Sequence, residues 1–207
     1  MFAGIDLGQR RIHVVVLDEE LRLSKGLVMD VSDLEGLPLV LSGSEVVAID
    51  APERLSREPH AEDGILSPKF RAARCAEIAL GRSQGIWVPW VTPSTETECP
   101  DWMRVGFQVF ELARRPGRRV VEVYPHAAFR MLAGGAIPSK STAKGLFARA
   151  QLLQHSGVGV DGLEMRSHDS LDACIAAVVA RHVAEGAAEA IGCGHDDSAI
   201  WLPRPPA

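Results

Sequence analysis

Four aspartates stand where a carboxylate is a poor packing choice. Asp6 falls inside the apolar run FAGIDL, between Ile5 and Leu7, and Asp50 ends the run EVVAID. Asp169 and Asp172 are spaced i, i+3 at the head of a long aliphatic segment. On a helix that spacing puts both on one face. Convergent carboxylates suit Mg²⁺ or Mn²⁺, hard cations that take oxygen ligands and keep several waters. Two such ions about 3.5–4 Å apart activate water and stabilise a leaving oxygen. The chemistry implied is hydrolysis of a phosphodiester, with Asp6, Asp50, Asp169 and Asp172 as catalytic metal ligands. The plain alternative is that Asp6 and Asp50 cap turns. An acid in a first helical turn also complements the helix dipole by about 0.3–1 kcal/mol. Two acids on one face, followed by Ala173, Ala176 and Ala177, say more, because small residues let a helix lie close against a sheet.

Further polar residues fall around this set. Glu122 is mid-strand before Tyr124-Pro125-His126 and suits either a further ligand or a partner to an arginine. Arg71, Arg74 and Glu77 share or border one helical face, as a polar network beside the ligands or as a solvated face. His168, just before Asp169, suits a proton donor or a structural histidine at a helix N-terminus. The cluster His195-Asp196-Asp197 is bracketed by glycine, and turn chemistry accounts for it. GGAIPSKS at 134–141 falls short of a phosphate loop: Ser139 replaces the last glycine, and a helix precedes it. Arg114, Arg115, Arg118 and Arg119 crowd a Pro-Gly turn, either solvated or touching phosphate. Cysteines stand at 75, 99, 174 and 193 with no CxxC pair; Cys193 and His195 have no matching ligand pair, so the spacing argues against structural zinc. Free thiols imply a reducing, cytoplasmic setting.

The elements that must position these residues follow from pattern. Residues 2–7, 12–17 and a segment within 21–31 read as strands with hairpin-length connections, hence an antiparallel meander. A helix is expected from Ser32 to about Leu41, although Gly36 and Pro38 disturb it. Residues 45–50 form a fourth strand, parallel to its neighbour after a crossover. Residues 51–101 are long and proline-rich, carry Trp87 and Trp90, and enclose one helix at 69–83; a lid or substrate wall over the carboxylates is expected. Helices are expected at 102–113, 126–133, 142–155 and 168–185, the last stopped by Gly186. Strands are expected at 119–124 and 199–202. The order argues a mixed α/β sheet with helices against it.

A chain of 207 residues suits one domain over 1–207, with 51–118 as an inserted lid region. Hydrophobic residues at 46% and charged residues at 24% are ordinary for a folded soluble globule. No apolar run is long enough for a membrane span. The net charge of −5 argues against nonspecific grip on long duplexes, so structured or single-stranded nucleic acid is the better partner.

Taken together, G4-I-D-L-G8, V47-A-I-D-A-P52, R71-A-A-R-C-A-E77, V121-E-V-Y-P-H126 and H168-D-S-L-D-A173 resemble the DUF429 family, a group of predicted nucleases with a ribonuclease H-like fold. The last motif also resembles the final helix of RuvC-type Holliday-junction resolvases. The resemblance implies a five-stranded mixed sheet in the order 3-2-1-4-5, flanked by helices, with an insertion after strand 4. It implies that Asp6 and Asp50 are the strand ligands, the latter often Glu in relatives, and that Asp169 and Asp172 are the last-helix ligands. Two other functions stay open. One is a noncatalytic scaffold binding a partner through Trp87 and Trp90. The other is a phosphotransferase related to actin-like ATPases, whose phosphate loop Asp6-Leu7-Gly8 resembles.

Overall fold

The computed structural model describes residues 1–159, 167–194 and 198–204. The cluster 195–197 and the last residues of the proline-rich tail therefore lie outside the described residues. Strands β1 (Phe2–Leu7), β2 (Arg11–Leu17) and β3 (Leu23–Asp30) form the antiparallel meander. Its second turn is tied by Asp18, whose carboxylate accepts from the N–H groups of Glu20 and Arg22.

The helix expected from Ser32 is two short pieces. Asp30, not Ser32, is the N-cap of a 3₁₀ segment (Val31–Gly36), and one turn of α-helix follows, α1 (Leu37–Val40). Pro38 supplies no N–H and cannot continue a helix begun upstream, which explains the break. Strand β4 (Val46–Asp50) then runs parallel to β1, with Asp6 and Asp50 as register partners.

The helix expected at 69–83 is also two, α2 (Pro68–Arg71) and α3 (Cys75–Gln84). Arg74 between them is extended and serves as the N-cap of α3. Next come α4 (Asp101–Ala113), β5 (Arg119–Val123), α5 (Pro125–Leu132), α6 (Ala143–His155) and α7 (His168–Ala184). Gly186 ends α7 in the left-handed region at φ 70°. A terminal hairpin follows, β6 (Ala188–Ile191) with β7 (Ile200–Pro203).

The sheet has seven strands rather than five, in the order β3-β2-β1-β4-β5-β7-β6. The first five keep the expected 3-2-1-4-5. β7 adds parallel to β5, and β6 closes the edge. β6 reads Ala-Glu-Ala-Ile, weak in β-branched residues, and so carries little strand signal.

Helices cover both faces, each over its own apolar core. α5, α6 and α7 pack on one face; the 3₁₀ segment, α1 and α4 pack on the other, and α3 lies against β6 and β7. α7 is the central helix, crossing β1, β4 and β2. Ala173, Ala176, Ala177 and Ala180 are all fully buried along it. Gly4 completes that close crossing: a Cβ there would overlap backbone atoms of Ala173 and Ala177. Backbone cannot yield as a flexible side chain can. Gly4→Ala should therefore cost about 3 kcal/mol, as severe overpacking does. Urea unfolding measures it, and a loss below about 1 kcal/mol would mean that the helix can lift away.

No helix among the described residues is long and apolar enough to cross a membrane.

Candidate metal centre

Strand alternation decides which acids can meet. Along β1, Phe2 belongs to the core under α7, while Ala3 and Ile5 belong to the opposite core. With a period of two, Asp6 leaves the sheet on the α7 side. Along β4, Val46 and Ala48 face α7, and Val47 and Ile49 face away, so Asp50 also points toward α7. The parallel register sets the two aspartates side by side at the carboxyl edge. The tight Gly4–Ala173 crossing then carries the first turn of α7 over the same edge. Asp6, Asp50, Asp169 and Asp172 consequently line one cleft of about 690 Å³.

Asp6 and Asp172 are buried, Asp50 is half-buried beside them, and the three disturb one another. Burial, then the charges of Asp172 and Asp169, push the Asp6 carboxyl up to about 7. Burial, then Asp6 and Asp172, hold Asp50 well above the ordinary carboxylate range. The two carboxyl groups share a hydrogen bond, which favours a proton held between them. Burial also raises Asp172, against the opposing charge of Lys140. The Lys140 ammonium donates to Asp172 Oδ2 at 2.7 Å. The other oxygen, Asp172 Oδ1, is buried without a hydrogen-bond partner among the described residues. Asp169 is different: at 39% exposure it sits on the rim, paired with His168 at 2.5 Å and facing His13 Nε2 at 3.7 Å.

The remaining sequence candidates do not join this cluster. Glu122 pairs in register with Ile49, so it leaves the sheet on the face opposite Asp50. Of the two roles open to it, arginine partner is the one found. Arg74 donates to both Glu122 oxygens, at 2.6 and 2.7 Å. The same guanidinium reaches Glu77 and Thr92 at 3.2 Å. Arg74 and Glu77 are fully buried, so this is a structural network rather than a solvated face. Burial works against the Arg74 charge, but Glu122 and Glu77 more than offset it and raise its pKa. The extended backbone at Arg74, which splits α2 from α3, accompanies this arrangement. Arg71 turns to the Leu66 carbonyl. His168 stays at the rim with Asp169.

Removing one partner of a buried pair strands the other charge. Arg74→Met should therefore destabilise the fold by about 3 kcal/mol, read by denaturant unfolding. Glu122→Gln should cost less, since Gln still accepts a bond from Arg74. Equal losses would show that hydrogen bonding, not charge, holds the network.

Other side chains complete the cleft, among them the two tryptophans of the expected wall. Trp87, Pro89 and Trp90 come from the long 51–101 stretch and wall the cleft, joined by Trp102 and Tyr124. Trp90 packs against both Trp102 and Tyr124, with ring centroids 5.5 and 6.0 Å apart. His126, Lys140 and Arg149 supply the basic side. Lys140 lies within the rejected GGAIPSKS segment; the sequence signal was present but tied to the wrong motif. His13, the register partner of Asp6, carried no signal beyond its place in a strand.

Fold and site together define a mixed-sheet α/β protein with an acidic cleft at the carboxyl edge of its central strands. The family model described as Protein of unknown function (DUF429) matches residues 104–196. That match supports the DUF429 family, the one that the sequence motifs resemble. The matched stretch holds Lys140, Asp169 and Asp172; Asp6 and Asp50 precede it. No curated protein and no solved structure matches the chain.

Proposed function

We propose that this chain is a divalent-metal-dependent nuclease of ribonuclease H-like fold, hydrolysing phosphodiester bonds in structured or single-stranded nucleic acid. One observation carries the reading. Three carboxylates from β1, β4 and α7 converge in one cleft, where burial and mutual repulsion resist their ionisation. Such a cluster is costly unless a cation or proton balances it.

Mg²⁺ or Mn²⁺ fits the donor set, because Asp172 Oδ1 is buried without a partner and all the donors are hard oxygens. Asp6, Asp50, Asp172 and Asp169 would hold the ion, which would supply Lewis acidity toward phosphate. The chain's own residues do the rest. Lys140 offers a point charge to a phosphate oxygen. His126 is kept neutral by burial, then by Arg149 and Arg130, so its ring can pass a proton at the cleft wall. Burial, then Asp50, pushes Tyr124 up to about 12, so it stays a phenol and donates a hydrogen bond. Trp87 and Trp90 offer ring faces to unpaired bases, a contact worth about 1–3 kcal/mol per base. The acidic chain suits local contact rather than a long duplex, and a cytoplasmic location accords with such substrates.

The test is cleavage of labelled single strands, branched junctions and RNA–DNA hybrids with Mg²⁺ or Mn²⁺. Metal-dependent cleavage that Asp50→Asn lacks supports the reading. No cleavage across the panel would favour a scaffold that binds partners through the tryptophan wall.

A further inference from the structure

A second cluster of donors lies away from the acidic cleft. His60 belongs to the loop after β4, Cys75 opens α3, and Cys193 sits in the loop between β6 and β7. One ligand atom from each lies within 4.8 Å of the others. His60 Nε2 is 3.7 Å from Cys75 Sγ and 3.8 Å from Cys193 Sγ. In a tetrahedral zinc site, bond lengths near 2.3 Å to sulfur and 2.0 Å to nitrogen put such N···S edges at about 3.5 Å.

We propose that His60, Cys75 and Cys193 form a zinc site, with a water completing the tetrahedron. Soft thiolates with one imidazole are a donor set that Zn²⁺ takes and Mg²⁺ does not. Cys75 is buried at the first position of α3, where the helix dipole favours the thiolate. On binding, each thiol releases its proton to solvent, and the neutral imidazole donates its lone pair. One imidazole nitrogen near both sulfurs is what a shared metal requires and what a disulfide has no use for. In the structure the two cysteine sulfurs lie within bonding distance, as in a disulfide, with their Cα atoms 5.4 Å apart; zinc would have to part them, so the two states exclude each other and Cys99 and Cys174 are the free thiols.

The placement gives the site a purpose. Ser198 of the same loop accepts from the Ala76 N–H at 3.2 Å, docking the β6–β7 loop on α3. Zinc would fasten that loop, the head of α3 and the loop after β4 at one point. It would thus brace the wall from which Trp87 and Trp90 reach the cleft. The spacing argument against zinc weighs only local ligand pairs, whereas these donors come from three distant segments.

The experiment uses the full chain, purified under reducing conditions and loaded with Co²⁺ alone. The expected result is a thiolate-to-cobalt charge-transfer band with tetrahedral visible bands, displaced by Zn²⁺. Cys193→Ser, at an exposed position, should lose the charge-transfer band. His60→Ala should weaken Co²⁺ affinity by more than the roughly 10–100-fold that loss of an outer partner costs. Asp50→Asn should keep the full spectrum, which separates this site from the acidic cleft whatever the nuclease assay returns. No thiolate band in the reduced chain would overturn the proposal. So would a second preparation, purified without reductant, that holds no zinc and has Cys75 and Cys193 closed to alkylation until reduced, the mark of a disulfide.

Discussion

Asp6→Asn should abolish metal-dependent cleavage, with turnover falling roughly 100- to 1000-fold or more while the fold survives. The size follows from what one preorganised electrostatic contact to a developing charge is worth. Asn keeps the shape of the side chain, so the α7 crossing is undisturbed. It removes the charge at the point where β1, β4 and α7 meet, and nothing nearby replaces it. Asp172→Asn should approach the same loss, since Asp172 is only 2% exposed and has one oxygen free to ligate. Asp169→Asn should hurt least, because Asp169 lies on the rim with two histidines beside it. Far-ultraviolet circular dichroism checks the fold, and single-turnover cleavage measures the rate. Turnover that survives in Asp6→Asn would locate the chemistry elsewhere.

The metal-free protein should grow less stable as pH rises from about 4 to about 7. Asp6 titrates near 3.8 when unfolded and at about 7 when folded. Between those values the folded state holds the proton and the unfolded state does not, so raising pH favours unfolding. The separation corresponds to about 4 kcal/mol for this group, fully expressed above pH 7. Asp50 and Asp172 are raised as well and act in the same direction. Mg²⁺ or Mn²⁺ should restore the loss at pH 8 and do little at pH 5, where protons already balance the cluster. Asp50→Asn should flatten the pH slope and shrink the metal gain. Melting curves with and without metal test this; an unchanged slope and metal gain in Asp50→Asn would assign both to other groups.

How much of this was legible depends on period and distance. The alternation in FAGIDL and EVVAID settles which face Asp6 and Asp50 take, and the i, i+3 spacing settles Asp169 with Asp172. Those regularities are local, so the sequence displays them. The same parity rule, applied to RVVEV, would have sent Glu122 to the other face and excluded it as a ligand; only the register of β5 against β4 made that readable. The two broken helices were hidden for different reasons. Pro38 announces its break in the residue itself, whereas Arg74 leaves its helix amid contacts to Glu122, far along the chain. β6 was invisible because pairing with β7, rather than side-chain preference, makes it a strand. Lys140 and the trio His60, Cys75 and Cys193 join the picture only through tertiary contact, which no spacing rule reaches.

The close seat of α7 on Gly4 also bears on how the molecule is assembled. β1 leaves a ribosome well before α7, yet each buries the other. Until α7 arrives, the central strands present an uncovered apolar face and two crowded acids. Contacts so distant along the chain close slowly, because the loop entropy falls due before they form. A nascent chain in that condition is open to aggregation. It also lacks half of the proposed ligands, so cutting power would appear only as the last helix docks. Chaperone dependence during synthesis, and inertness of any fragment ending before α7, are consequences of a single glycine lying under a row of alanines.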